Sequence, residues 1–228
     1  MFDRGVRNSF RALHRALFVV ALIAAAPAGS AAANPVLGFI EEWTGTDLHN
    51  WVGGSVGGSV DVTNPGTGGR QGAGDGFLLM SRSTVGNLGV YTIGSEYLGY
   101  WLAAGIQSVR VWLNDVNTDD PLEIHFVIGH AQVNVWQYNE GFLPPHNGWA
   151  EFVVDLTDST KFTQTFGPGT FDDALRDVDR LHFRHDLAPY MQFPDPIQAD
   201  VGIDHVELSG VNVPVVPTTW GRLKVRYR

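Results

Sequence analysis

The sequence predicts an all-β protein, a two-sheet antiparallel sandwich of jelly-roll type. Successive segments between residues 108 and 156 alternate apolar and polar side chains with a period of two, which is typical of half-buried antiparallel strands. Residues 51–76 are so rich in Gly, Ser, Asn and Pro that they predict turns and short strands rather than a helix. No segment of about 20–50 residues is repeated, which excludes solenoids and propellers.

The first strand is predicted at residues 39–43, and further strands follow at 76–80 and 89–93. The clearest alternation begins at residue 108. There the inner face is predicted to hold Val109, Val111 and Leu113, and the outer face Arg110, Trp112 and Asn114. A polar turn at 114–121 leads to a strand at 122–128, and these two strands are predicted to pair as a hairpin.

Two more alternating strands are predicted at residues 133–138 and 150–156, with Trp136 and Tyr138 on the face turned away from the core. A short helix is predicted at Phe171–Arg176, because Thr170 can cap it and acidic residues fill its first turn. A strand at 178–184 follows. The last strand, at 199–208, has a Gly-x-Asp segment in its middle, which suits a strand that kinks.

The two ends of the chain differ in composition from this body. Four arginines flank an apolar run at 16–28, and three alanines at 31–33 supply a small-residue cleavage pattern. We therefore expect a signal peptide at 1–33, a sandwich domain at 34–210, and a Pro-containing linker with a basic tail at 211–228. The chain is then secreted or displayed at the cell surface of a bacterium.

The charge balance argues against nucleic acid as a partner. The chain has 15 basic and 24 acidic residues, and loss of residues 1–33 removes four arginines and one aspartate. The remaining 11 basic and 23 acidic residues give a net charge of −12. Four of those basic residues lie at 218–228, which indicates cell-surface attachment, an arm folded on the acidic domain, or a frayed terminus.

Three segments resemble a group of exported bacterial proteins with laminin-B-like or galactose-binding-like sandwich domains. The segments are 99–109, 177–185 and 201–206, and the resemblance covers residues 39–209. In many calcium-binding carbohydrate modules of this shape, a carboxylate of the opening strand lies beside an Asp near the end of the last strand. The resemblance implies that Glu41 or Glu42 and Asp204 occupy those positions, although His205 stands where the pattern usually has Asn.

Calcium is the cofactor that this comparison predicts. The chain has no cysteine, so an exported fold gains no disulfide, and carboxylates are hard oxygen ligands that suit calcium. We expect Glu41 or Glu42 to share a structural calcium ion with Asp204. The alternative is that Asp204 only caps a bulge and the glutamates are solvated.

Aromatic side chains on the strands predict a binding surface. We expect an exposed strip of Trp112, His125, Trp136 and Tyr138 beside Arg110, on which a sugar ring could stack. The alternative is that the loop at 139–149 covers these rings as a second small core. His182 and His185 are interpreted as solvated surface residues, because a spacing of three on a strand points them to opposite faces.

No nucleophile, phosphate-loop or paired-acid motif is present in the sequence. The sequence therefore predicts a non-catalytic exported module that binds a glycan or polysaccharide and has a calcium-stabilised fold. A structural component of the cell surface or extracellular matrix, mediating protein contacts, is the alternative. Glycoside hydrolysis would need two carboxylates about 5–10 Å apart in a cleft.

Overall fold

The computed structural model describes residues 35–54, 60–118 and 121–210. Within these ranges the chain forms two six-stranded antiparallel sheets and one small two-stranded sheet. Sheet I comprises β1 (Ile40–Glu41), β3 (Asp61–Thr63), β4 (Leu78–Ser81), β7 (Ser108–Thr118), β10 (Ala150–Asp155) and β14 (Ala199–Ser209). Sheet II comprises β2 (Trp51–Gly53), β6 (Gly89–Thr92), β8 (Ile124–His130), β9 (Asn134–Tyr138), β11 (Phe162–Phe166) and β12 (Arg180–His185). The small sheet pairs β5 (Gly86–Asn87) with β13 (Pro196–Ile197).

The order of strands places the long strand β14 at the centre of sheet I, and β8 and β12 at the centre of sheet II. Sheet I runs β10-β7-β14-β4-β3, and β1 also pairs with β14. Sheet II runs β11-β9-β8-β12-β6-β2. The predicted all-β, two-sheet antiparallel sandwich is confirmed, and β12 occupies an interior position of sheet II.

The core lies between the two sheets. Val109, Val111 and Leu113 of β7 are fully buried, as their alternation predicts. Sheet II contributes large side chains to the same cluster, among them Phe126 and Phe183, whose rings are 5.8 Å apart. Apolar burial of this kind is the main stabilisation available to a chain without cysteine.

Two short helices and one 3₁₀ turn complete the described chain. They are α1 (Trp101–Ala104), α2 (Phe171–Arg176) and the turn Ser159–Lys161. The prediction of α2 is confirmed at both ends. The hydroxyl of Thr170 accepts a hydrogen bond from the backbone N–H of Asp173, whose carboxylate accepts one from the backbone N–H of Thr170. None of the helices in the described ranges is long and apolar enough to cross a membrane.

One predicted strand pairing is wrong. The segments 108–118 and 124–130 are consecutive strands, but they lie in different sheets, since β7 pairs with β10 and β14, and β8 pairs with β9 and β12. Each strand has one apolar face, and the connection between them carries the chain across the sandwich so that both faces meet in the core. A local pattern cannot distinguish this crossover from a hairpin. The predicted segments 1–33 and 211–228 lie outside the described residues.

Candidate functional site

The outer face of sheet II carries a cleft of about 380 Å³. Its floor is formed by side chains of β6, β8, β9 and β12, and one wall by residues 192–194 of the loop that follows β12. Among its lining residues are Tyr91, Val127, Val135, Arg180, His182 and Phe193. The cleft is therefore an open groove that crosses the strands of one sheet.

The cleft exists because β12 has a polar outer face. Leu181 and Phe183 point into the core and are fully buried, so the alternating residues Arg180, His182 and Arg184 point the other way. His182 is in register with Tyr91 of β6 and with Val127 of β8. This register brings an aromatic ring, an imidazole and an arginine together on the floor of the cleft.

Tyr91 and Arg180 form the most specific contact in the cleft. The guanidinium carbon of Arg180 lies 4.3 Å from the centre of the Tyr91 ring, a cation–π geometry. The Tyr91 ring also lies against the backbone of Gly54, because a Cβ added at that position would collide with the ring. Glycine at position 54 thus leaves the space that the ring occupies.

His182 is uncharged at neutral pH. Burial, followed by the positive charges of Arg184 and Arg180, lowers its pKa to about 3. Its Nε2 has no hydrogen-bond partner in the described part of the chain. The ring donates a hydrogen bond to the backbone of Gly54, so Nε2 of the neutral imidazole is left as a buried acceptor.

Arg184 builds the wall of the cleft rather than its binding surface. It is 4% exposed and forms a 2.9 Å ion pair with Asp186, which is also buried. Its remaining donors bind the side chain of Gln137 and the backbone carbonyls of Met191 and Gln192, at 2.7–2.9 Å. These bonds hold the loop against sheet II and place the exposed Phe193 ring at the rim.

The predicted aromatic strip does not exist as one exposed face. Trp136 and Tyr138 point inward, where Trp136 packs on Phe171 and Tyr138 packs on Phe162 with ring centres 5.7 and 5.0 Å apart. Tyr138 is 2% exposed. The predicted alternation turned Trp136 and Tyr138 away from the core, but these large rings take the core face because they bury more apolar area.

His125 lies on the outer face of sheet II but is fully buried. Its Nδ1 is 2.7 Å from the carbonyl oxygen of Tyr138, its Nε2 is 2.9 Å from Oε1 of Glu123, and Tyr190 covers the ring. The prediction that His125 is exposed is therefore wrong. A loop that follows β12 covers it, and strand periodicity gives no information about such a cover.

Arg110 and Trp112 lie on the outer face of the other sheet. Arg110 forms a 3.2 Å ion pair with Glu151, and the guanidinium of Arg70 lies 5.7 Å from the centre of the Trp112 ring. The five predicted ligand-binding residues therefore do not share one surface. In sheet II, Trp136 and Tyr138 face the core and His125 is covered by a loop. Arg110 and Trp112 lie on the outer face of sheet I. The expectation of solvated histidines is also wrong, because His185 is 2% exposed and burial lowers its pKa.

The predicted metal ligands form two separate clusters. Glu42 and Asp204 both contact Arg70. The Arg70 side chain donates a 2.7 Å hydrogen bond to Glu42, and its backbone N–H donates a 2.9 Å hydrogen bond to Asp204. Glu41 instead lies 2.6 Å from Nδ1 of His49, and burial raises its pKa. The kink of β14 is present as a register shift after Asp204, where His205 adopts a φ of 49°.

These residues do not fit a calcium ion in the arrangement that the structure shows. The guanidinium of Arg70 already supplies a positive charge to Glu42, and Nδ1 of His205 is 2.5 Å from the same carboxylate oxygen. Burial is the main cause that raises the pKa of Asp204 to about 6, with Asp75 and Glu42 adding repulsion. Within the described ranges, no group of three or more His, Cys, Asp or Glu side chains is placed to hold a metal.

Several solved structures share the sandwich fold. The family 11 carbohydrate-binding module CtCBM11 is 19% identical and has a TM-score of 0.51, over 77% of this chain and 96% of that chain. The family 11 module of a cellulosomal cellulase of Clostridium thermocellum is 16% identical, with a TM-score of 0.51 over 78% of this chain and 97% of that one. An exo-β-agarase matches with 10% identity and a TM-score of 0.52, over 78% of this chain and 25% of the enzyme. No protein-family model and no curated protein matches the sequence.

The residues that line the cleft are not among the binding residues predicted from the sequence. Arg180, His182 and Arg184 follow one another at a spacing of two, which is a detectable signal of a polar outer face on a strand with a buried inner face. Tyr91 and Phe193 give no comparable signal. Their position at the cleft depends on the register of β6 with β12 and on the path of a loop.

Proposed function

We propose that the chain is a non-catalytic, exported module that binds a polysaccharide in the cleft of sheet II. The observation that carries the proposal is the floor of that cleft, where the Tyr91 ring lies beside Arg180 and His182 in an open groove. Aromatic rings bind the apolar faces of sugars, and the polar neighbours bind their hydroxyl groups. An open groove also accepts a long chain, whereas a closed pocket accepts only its end.

The composition of the cleft supports binding rather than hydrolysis. The residues that line it, all in the described part of the chain, include no Asp or Glu. A glycosidase that uses two carboxylates needs both at the scissile bond. The similarity in fold to carbohydrate-binding modules agrees with this proposal. Export is part of the proposal and rests on the composition of residues 1–33.

Affinity electrophoresis in gels that contain one polysaccharide each tests the proposal. Wild-type protein should be retarded by at least one polymer, and Tyr91→Ala should migrate as it does in a gel without polymer. Trp112→Ala is the matched control, because it removes an aromatic ring from the outer face of sheet I. Equal retardation of wild type and Tyr91→Ala would place binding elsewhere, and no retardation by any polymer would overturn the proposal.

A further inference from the structure

The cleft of sheet II is positively charged in a protein that is otherwise acidic. The full chain carries 15 basic and 24 acidic residues, yet the cleft is lined by the basic residues Arg180, His182 and Arg184 and by no Asp or Glu. The positive charge of this cleft must come from the residues that line it, because the protein as a whole is negatively charged. The three side chains contribute differently, and their contacts decide which of them can act on a ligand.

Arg184 and His182 contribute no free charge. The buried ion pair with Asp186 neutralises Arg184, and all three guanidinium nitrogens of Arg184 have partners within the protein. His182 is neutral because its pKa is about 3. The positive charge that remains in the cleft belongs to Arg180.

Arg180 has no carboxylate partner among the described residues. Its guanidinium lies over the Tyr91 ring, and its Nε has no hydrogen-bond partner within the described ranges. In a chain with an excess of carboxylates, an arginine in a partly buried groove usually acquires one of them. Arg180 therefore offers an unpaired positive charge in the cleft, held over one face of the Tyr91 ring.

Two further nitrogens on the outer face of sheet II also lack partners within the described chain. They are Nε2 of His182 and Nε2 of Gln137, and the Gln137 side chain is fully buried. The two residues lie in the same row across the sheet, since both are in register with Val127. Gln137 does not line the cleft, so of these two residues only His182 belongs to it.

We infer that the polysaccharide bound in the cleft is anionic, with a carboxylate or a sulfate ester that pairs with Arg180. This inference rests on the proposed function and names the chemical class of its ligand. The planar guanidinium can donate two parallel hydrogen bonds to a carboxylate or sulfate while its face remains on Tyr91. An uncharged glycan would leave the charge of Arg180 unpaired in the groove.

Matched pairs of polymers test the inference. Polygalacturonate is compared with its methyl ester, and κ-carrageenan with its desulfated form, so that each pair differs mainly in charge. We expect binding to one of the charged polymers to exceed binding to its neutral counterpart by about tenfold, equivalent to ~1.4 kcal/mol. The polymer that binds then distinguishes carboxylate from sulfate. Binding should weaken as salt is added, because the interaction is a charge pair.

Three variants connect the charge preference to Arg180. Arg180→Gln should bind both members of a pair equally, Arg180→Lys should retain part of the preference, and Arg110→Gln on sheet I should behave as wild type. Urea unfolding checks that each variant is folded. Equal binding of the charged and neutral polymers by wild type, with loss of both in Tyr91→Ala, overturns the anionic ligand and leaves the proposed function intact. Failure to bind any of the four polymers, or any other polysaccharide, overturns both.

Discussion

The backbone N–H of Arg70 donates a 2.9 Å hydrogen bond to Oδ2 of Asp204, which joins the glycine-rich segment before β4 to the kink of β14. The side chain of the same arginine lies 2.7 Å from Oε1 of Glu42 and 2.8 Å from Nδ1 of His205. A single residue thus links the opening strand, a loop and the last strand. Its positive charge lies where the sequence predicts a metal ion.

Asp204 should make the stability of the protein depend on pH. Its pKa is about 6 in the folded protein, mainly because of burial, and 3.8 is the ordinary value. Between these values the unfolded chain has lost the proton that the folded chain retains, so unfolding releases a proton and becomes easier as pH rises. This group should lower the free energy of unfolding by about 2 kcal/mol between pH 4 and pH 6, and the effect should level off near pH 7.

Urea unfolding of wild type and Asp204→Asn at pH 4, 5, 6 and 7 measures this effect. The difference in stability, wild type minus variant, should fall across the lower three values and then level off. Other groups titrate in both proteins and cancel in the difference. Parallel stability curves would show that Asp204 has an ordinary pKa in the folded state.

Removal of calcium should leave the melting temperature of the wild-type protein unchanged. Glu42 is already paired with Arg70, and a ligand stabilises a protein only through a site that the folded state offers. Thermal melts with a chelator and with added calcium test this expectation. Arg70→Gln should melt at a lower temperature, because it removes the guanidinium that pairs with Glu42. A chelator effect in wild type that is absent in Asp204→Ala would restore the calcium site.

The period-two pattern of the sequence was sufficient to predict most strands and the sandwich, because burial of one face is a local property. The pattern did not indicate which face of a strand is buried when both of its faces carry apolar residues. In β9, Val135 and Trp136 both suit a core, and the structure places Trp136 inside and Val135 in the cleft. The choice depends on the space that Phe171 of α2 leaves, which is a tertiary property.

The cleft of sheet II was less predictable than the fold. The polar alternation of Arg180 and His182 was visible in the sequence, but the contact with Tyr91 depends on strand register. The same limit applies at β14. The kink at Asp204 follows from local sequence, whereas its partner Arg70 lies 134 positions earlier in the chain. Partners at such separations require the three-dimensional arrangement of the sheets.

Trp136 and Trp112 should respond oppositely to truncation. Trp136 packs on Phe171 beside the core, so Trp136→Ala should cost ~3–5 kcal/mol through the cavity it leaves. Trp112 is on the outer face of sheet I, with Arg70 near its ring, so Trp112→Ala should cost ~1 kcal/mol or less. Urea unfolding of both variants at neutral pH measures the difference. Similar losses in the two would show that Trp112 is also part of a packed core.

Arg184 should be needed to hold the cleft wall. Arg184→Met leaves Asp186 buried without its partner, and breaking a buried ion pair of this kind costs ~3–5 kcal/mol. The loop at 187–195 should then become a site of rapid proteolysis. Arg180→Met is the matched control, because it removes the same side chain from the same strand without breaking an ion pair. A loop equally resistant in both variants would mean that contacts other than those of Arg184 hold it.

Gly54→Ala tests the position of the Tyr91 ring without removing the ring. The added methyl group would collide with Tyr91, while the backbone of Gly54 does not require a positive φ, so the ring rather than the chain should move. We expect polysaccharide binding to weaken by about tenfold, or ~1.4 kcal/mol, because a displaced ring no longer holds Arg180 in place in the cleft. The urea midpoint should change little. Gly148→Ala is the control, because an added Cβ there meets only ordinary van der Waals contacts and the residue lies outside the cleft. Gly105→Ala is unsuitable as a control, because Gly105 has a φ of 75°. Unchanged binding in Gly54→Ala would show that the ligand does not depend on the Tyr91 ring as the structure places it.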